Sequence, residues 1–141
     1  SLQVSSAIRT PVIDEAVSTV ARMPAVREAM VNRQREIAAQ ADTVMEGRDI
    51  GTVVFPEADV KVFLTASSEE RARRRHAELA DRGLDSQADR VREGMERRDH
   101  ADSSRKTAPL RAAPDAVRVD TTGLTAEQVV DLIQELVEAA R

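Results

Sequence analysis

The chain has no cysteine, tryptophan or tyrosine, and its aromatic content is Phe55 and Phe63 alone. The missing thiols exclude disulfides and thiolate metal sites. The missing rings mean that a core has to be built from Val, Leu, Ile, Ala and Met. His76 and His100 are the only histidines; they lie far apart and share no metal-ligand spacing, and no Ser/His/Asp constellation accompanies them. The five glycines are scattered, so these 141 residues contain neither a GxxxxGK[ST] loop nor any other glycine-rich phosphate cradle. No apolar run approaches membrane-spanning length, and the N-terminus lacks the zones of a signal peptide. The expectation is a soluble, cytoplasmic protein with no membrane partner.

What is present is charge. Charged residues make up 33% of the chain, with a net charge of −4. The mild acidity and the absence of a basic tract argue against a nucleic-acid binder. A length of 141 residues predicts a single domain over 1–141 with a core of moderate size.

The pattern along the chain alternates helix and strand. After Pro11, Ile13, Ala16, Val17 and Val20 fall on one helical face. Pro24 suits the first turn of a second helix. "TVMEG" (43–47) and "VKVFL" (60–64) have strand character. Ser67 and Glu70 form a capping box ahead of "ERARRRHAELADR", and Gly83 is a natural stop for that helix. "SQADRVREGMERRD" is another helical pattern, 99–115 reads as a loop, and "AVRVDTT" reads as a third strand. Thr125 and Gln128 cap a final amphipathic helix. This order predicts an α/β fold with a parallel sheet flanked by helices.

In such sheets ligands bind beyond the carboxyl ends of the strands. That makes Arg48 and Asp49 conspicuous, because in "MEGRDIGTVVFP" they stand between two apolar, strand-like runs. A surface hairpin would carry Asn-Gly or Asp-Gly there, and a buried crossing would carry no charge. They are expected in the ligand crevice. Two other clusters each leave two readings open. Arg98 and Asp102, four apart in "ERRDHADSSRK", form either a solvated ion pair or part of a site, with Arg105 close behind. Arg71, Arg74 and Arg75 in "EERARRRH" are like charges on roughly one side of a helix. They are either neutralised by Glu69, Glu70 and Glu78 or form a clamp on phosphoryl oxygens.

The stretch "EGRDIGTVVFPEADVKVFLTASSEERARRRHAEL", with "ERRDHADSSRKTAPL" and "DAVRVDTTGLTAEQVV", resembles the bacterial cytidylate kinase family of nucleoside monophosphate kinases. The likeness extends back through "VSSAIRT" and "MPAVREAMVNRQREIA" and covers essentially the whole chain. The resemblance implies a P-loop NTPase-type parallel sheet, incomplete here because the family's first strands and P-loop are absent. It also implies a helical lid over about 67–105. It implies transfer of the ATP γ-phosphoryl group to CMP or dCMP, with ATP as co-substrate and Mg²⁺ bound with it. By position, Arg48 matches the arginine at the CMP phosphate and Asp49 the aspartate at the cytosine amino group. Ser18 and Arg27 match the residues at the cytosine edge. Arg98 and Asp102 match those holding the sugar, Arg98 also lying near the phosphate, and Arg105 matches another arginine of the monophosphate pocket. Arg48 and Arg98 are thereby implied to be catalytic. Arg71, Arg74 and Arg75 fall at the ATP-side lid. Full-length members of the family are expected to be monomeric. A P-loop-less chain by itself is expected to be inactive and to self-associate through open strand edges. The competing reading is a non-catalytic CMP-binding or protein-interaction fragment.

Overall fold

The computed structural model describes residues 8, 10–84, 87–104 and 108–140. The chain divides into two compact units, 1–46 and 47–141.

The first unit is helical. Helix α1 (Pro11–Val20) starts where Thr10 accepts a hydrogen bond from the Ile13 amide and Pro11 enters with its φ already set. Helix α2 (Pro24–Ala38) opens the same way on Pro24. The expected apolar face of α1 is there, and Val12, Ile13, Val17 and Val20 are exposed along it.

The second unit carries the sheet. Strand β1 (Val62–Thr65) pairs in parallel with β2 (Val117–Asp120), in register Val62 with Val117 through Thr65 with Asp120. The Val117 amide extends the ladder to the Lys61 carbonyl at 2.9 Å. Helices α3 (Ser68–Asp81) and α4 (Ala88–Ser103) connect the strands, and α5 (Ala126–Ala139) follows β2. A long helical crossover is what parallel pairing requires. The result is an α/β arrangement consistent with an incomplete P-loop NTPase-type fold. α3 packs on α4, burying Ala72 and Leu79, which lie seven residues apart on one face. Among the described residues, no helix is long and apolar enough to cross a membrane.

The helix punctuation follows the sequence. Thr125 and Gln128 form a reciprocal capping box on α5. Ser67 caps α3 by accepting from the Glu70 amide, but Glu70 does not reciprocate, since its carboxylate is drawn to Arg73 and Arg74. Gly83 ends α3 at φ +69°, with its amide on Ala80 and the Leu84 amide on Leu79.

Three expectations are corrected. "TVMEG" is not a strand: 43–46 has no regular structure and Val44 is 96% exposed. The two strands described pair with each other, so no ladder is available to satisfy its backbone. "TVVF" is not strand-like either. Ile50–Val54 closes into one π-helical turn, in which the Val54 amide reaches the Asp49 carbonyl and the Phe55 amide the Ile50 carbonyl. Finally, the loop expected from residue 99 begins later, because α4 runs on to Ser103 with no proline to stop it before Pro109.

Candidate active site

The π-turn is what places Arg48 and Asp49. The Asp49 carbonyl accepts from the amides of Thr52, Val53 and Val54 at 3.3, 2.9 and 3.3 Å, which fixes the backbone just after Arg48. Arg48 then reaches α4. Its Nη1 donates to Asp99 Oδ1 at 2.7 Å and lies 2.9 Å from Asp102 Oδ2. Asp99 Oδ2 accepts from Arg71 Nη1 on α3. Arg98 Nε stands 3.9 Å from Asp102 Oδ2; it is buried and makes no hydrogen bond. Three arginines and two aspartates from three segments thus form one cluster. The longer α4 makes this possible, since positions 98 and 102, and 99 and 102, are helical neighbours.

Asp102 is 1% exposed, which a carboxylate tolerates only when paired. Burial works to raise the Asp99 carboxyl, but hydrogen bonds from Arg48 and Arg71 outweigh it and hold the group below its ordinary range. Asp99 therefore acts as an acceptor for two guanidiniums, and Asp102 stands in an ion pair with Arg48. Asp99 is the residue that sequence reasoning missed; its signal was the i, i+3 spacing to Asp102 in "RRDHAD".

The α3 arginines separate. Glu70 takes Arg73 through two bonds at 2.9 and 2.8 Å, and Arg74 at 2.7 Å. These bonds, Arg73 first, lower its carboxyl to about 2. Glu78 takes Arg75 at 2.6 Å and Arg82 at 2.5 Å. Neutralisation within the helix therefore accounts for much of the cluster. Arg74 also donates from Nη1 to Thr121 Oγ1 at 3.0 Å, and from Nη2 to the Thr121 and Leu124 carbonyls at 2.5 and 3.2 Å. It ties α3 to the corner between β2 and α5. Arg71 pairs with a carboxylate on another element, Asp99 of α4.

The carboxyl ends of the strands are knitted together near this corner. Thr121, 4% exposed, donates its hydroxyl to the Thr65 carbonyl at 2.9 Å and its amide to the same oxygen at 2.8 Å. Asp120 accepts from the Thr122 amide and hydroxyl at 2.9 and 2.7 Å, and Thr122 in turn accepts from the Ser67 amide at 3.0 Å.

The remaining sequence candidates belong to other segments of the chain. Arg27 is in the first unit on α2, its Nη1 3.5 Å from the Ala21 carbonyl. Ser18 is on α1. Arg105 lies outside the described residues.

The parallel strand pair with its helical crossover, and the arginine–aspartate cluster drawn from the segment before β1 and from that crossover, define an α/β protein. The cytidylate kinase family model matches residues 1–139. Cytidylate kinases of Geobacillus kaustophilus and Geobacillus thermodenitrificans are 55% and 54% identical over 134 residues, 95% of this chain and 60% of each relative. That of Anoxybacillus flavithermus is 52% identical over 139 residues, 96% of this chain and 62% of its own. The chain belongs to the cytidylate kinase family, and it spans about 60% of the length of these curated relatives.

Proposed function

We propose that the protein carrying this chain transfers the γ-phosphoryl group of ATP to CMP or dCMP in the cytoplasm. The observation that carries the reading is the cluster around Arg48. Among the described residues, three guanidiniums and two carboxylates meet there, an arginine-rich cluster of the kind that receives phosphate oxygens. Family membership supplies the substrate class. Arg48 and Arg98 would neutralise the acceptor phosphate, so that two anions can approach. Asp102 would hold the sugar with Arg98, and Arg105 would add to the phosphate pocket. Arg71 is the best placed of the α3 arginines to act from the ATP side. Arg74 serves first to tie α3 to the corner between β2 and α5, and Arg75 pairs with Glu78 on its own helix.

Base choice follows from donor and acceptor chemistry. Cytosine offers an amino donor beside two acceptors. Asp49 as a carboxylate only accepts, Arg27 only donates, and Ser18 does either. Uracil would set a carbonyl against Asp49 and leave buried polar groups unpaired. Mg²⁺ would arrive with ATP. Among the described residues no three acids or histidines gather to hold a metal, and kinases bind this ion largely through substrate phosphates.

These 141 residues contain no phosphate-cradling loop. That favours a second reading for the chain by itself: a CMP-binding polypeptide without turnover, self-associating through its open strand edges. Coupled measurement of ADP release with CMP, dCMP and UMP tests both. The protein expressed from its own gene should turn over CMP and dCMP well ahead of UMP, and the isolated 141-residue chain should turn over none. Equal rates with UMP and CMP overturn the cytidine assignment. Turnover by the isolated chain overturns the second reading.

A further inference from the structure

Asp99 has no role in the assignments above, yet it is the residue through which Arg48 and Arg71 meet. It gives one oxygen to each, Oδ1 to Arg48 and Oδ2 to Arg71. The three residues come from the segment before the π-turn, from α3 and from α4. Among the described residues, every polar contact of Arg48 runs through Nη1, so the Nη2 and Nε donors remain for another acceptor. Arg71 is held the same way through Nη1, with a long 3.5 Å contact from Nη2 to Ser68 Oγ. Two guanidiniums brought this close repel each other unless a carboxylate stands between them. Two long side chains also surrender rotamer freedom on binding unless something has fixed them beforehand.

We infer that Asp99 is a positioning residue that makes Arg48 and Arg71 one binding unit for phosphoryl oxygens. It couples the arginine on the acceptor side to the arginine on the lid. The inference rests on the kinase reading of this site. A residue that only held α3 against α4 would have no particular effect on the phosphate of a ligand, and this separates the two roles.

The test is calorimetric titration of the protein expressed from its own gene with CMP and with cytidine, which lacks the phosphate. Asp99→Asn keeps the volume but replaces one acceptor oxygen with a donor. It should weaken CMP about tenfold, the loss of one charge-assisted contact to the phosphate. Cytidine affinity should stay within about twofold of the parent. Asp99→Glu, which restores the charge, should recover part of the CMP affinity. Equal weakening of both ligands would mark Asp99 as a plain structural tie and overturn the inference, as would unchanged CMP affinity. A parent protein that binds CMP no better than cytidine would instead overturn the phosphate-site reading beneath it. If Asp99→Asn does not fold, the unsubstituted protein decides. Nitrogen-15 signals of the Arg48 and Arg71 Nε–H groups should move along one saturation curve as CMP is added. An Arg71 signal that stays still while Arg48 moves would overturn the coupling.

Discussion

Replacing Asp102 with alanine removes the most deeply buried charge among the described residues of the second unit. Its carboxylate forms an ion pair with Arg48 at 2.9 Å and lies 3.9 Å from the buried Arg98 Nε. Breaking a buried ion pair from one side costs about 3–5 kcal/mol. That range is too high here. The Arg48 and Arg98 side chains are 32% and 36% exposed and can rehydrate, and Arg48 keeps Asp99 at 2.7 Å. Among the described contacts, what is lost is the close Arg48 ion pair, worth about as much as a charge-assisted hydrogen bond, about 1.5–3 kcal/mol, plus a small cavity. The expected loss is about 2–3 kcal/mol, a large part of a domain stability of about 5–15 kcal/mol. Asp102→Asn, which keeps one acceptor oxygen, should cost roughly half as much. Urea unfolding followed by circular dichroism reads this as a lower midpoint at unchanged slope. A loss below about 0.5 kcal/mol for alanine would refute the idea that Asp102 anchors the arginines, as would asparagine being the more damaging change.

Thr121→Val, nearly the same shape, removes the hydroxyl's bonds to Thr65 and Arg74 and should cost about 1–2 kcal/mol. In the valine background Arg74→Ala should cost less than it does alone, which a double-mutant cycle measures. Asp99 sits below its ordinary range, so its contribution to stability is complete above about pH 4 and is lost as pH falls through the depressed value. Acid titration of the urea midpoint should therefore drop less steeply for Asp99→Asn than for the parent. Asp49→Ala should erode the preference for CMP over UMP, and a variant that only lowers both rates in proportion would remove Asp49 from base reading.

The helices were legible because their punctuation is local. Thr10, Ser67 and Thr125 each cap through their own side chains, and Gly83 adopts the positive φ that stops α3. The strand character of "VKVFL" and "AVRVD" and their parallel arrangement were also legible, since both runs carry β-branched residues and are separated by helical crossover sequence. "TVMEG" failed for a non-local reason. Strand propensity needs a neighbouring strand to realise it, and among the described residues none lies beside it. The π-turn at Ile50–Val54 follows from the pinned Asp49 carbonyl, which no residue pattern announces. At the site, spacing alone placed Arg98 with Asp102. The choice of Arg71 over its neighbours, and the part played by Asp99, depend on how α3 packs on α4. Ser18 and Arg27 belong to the other compact unit, and their assignment to base reading rests on the family resemblance.

A crystal structure of the protein expressed from its own gene, grown with CMP, tests the central claim most directly. The account predicts phosphate oxygens within hydrogen-bond distance of the Arg48 Nη2 and Nε donors, and Asp49 accepting from the cytosine amino group. CMP bound with its phosphate touching neither Arg48 nor Arg98, while the arginine–aspartate cluster stays as it is without ligand, would contradict it.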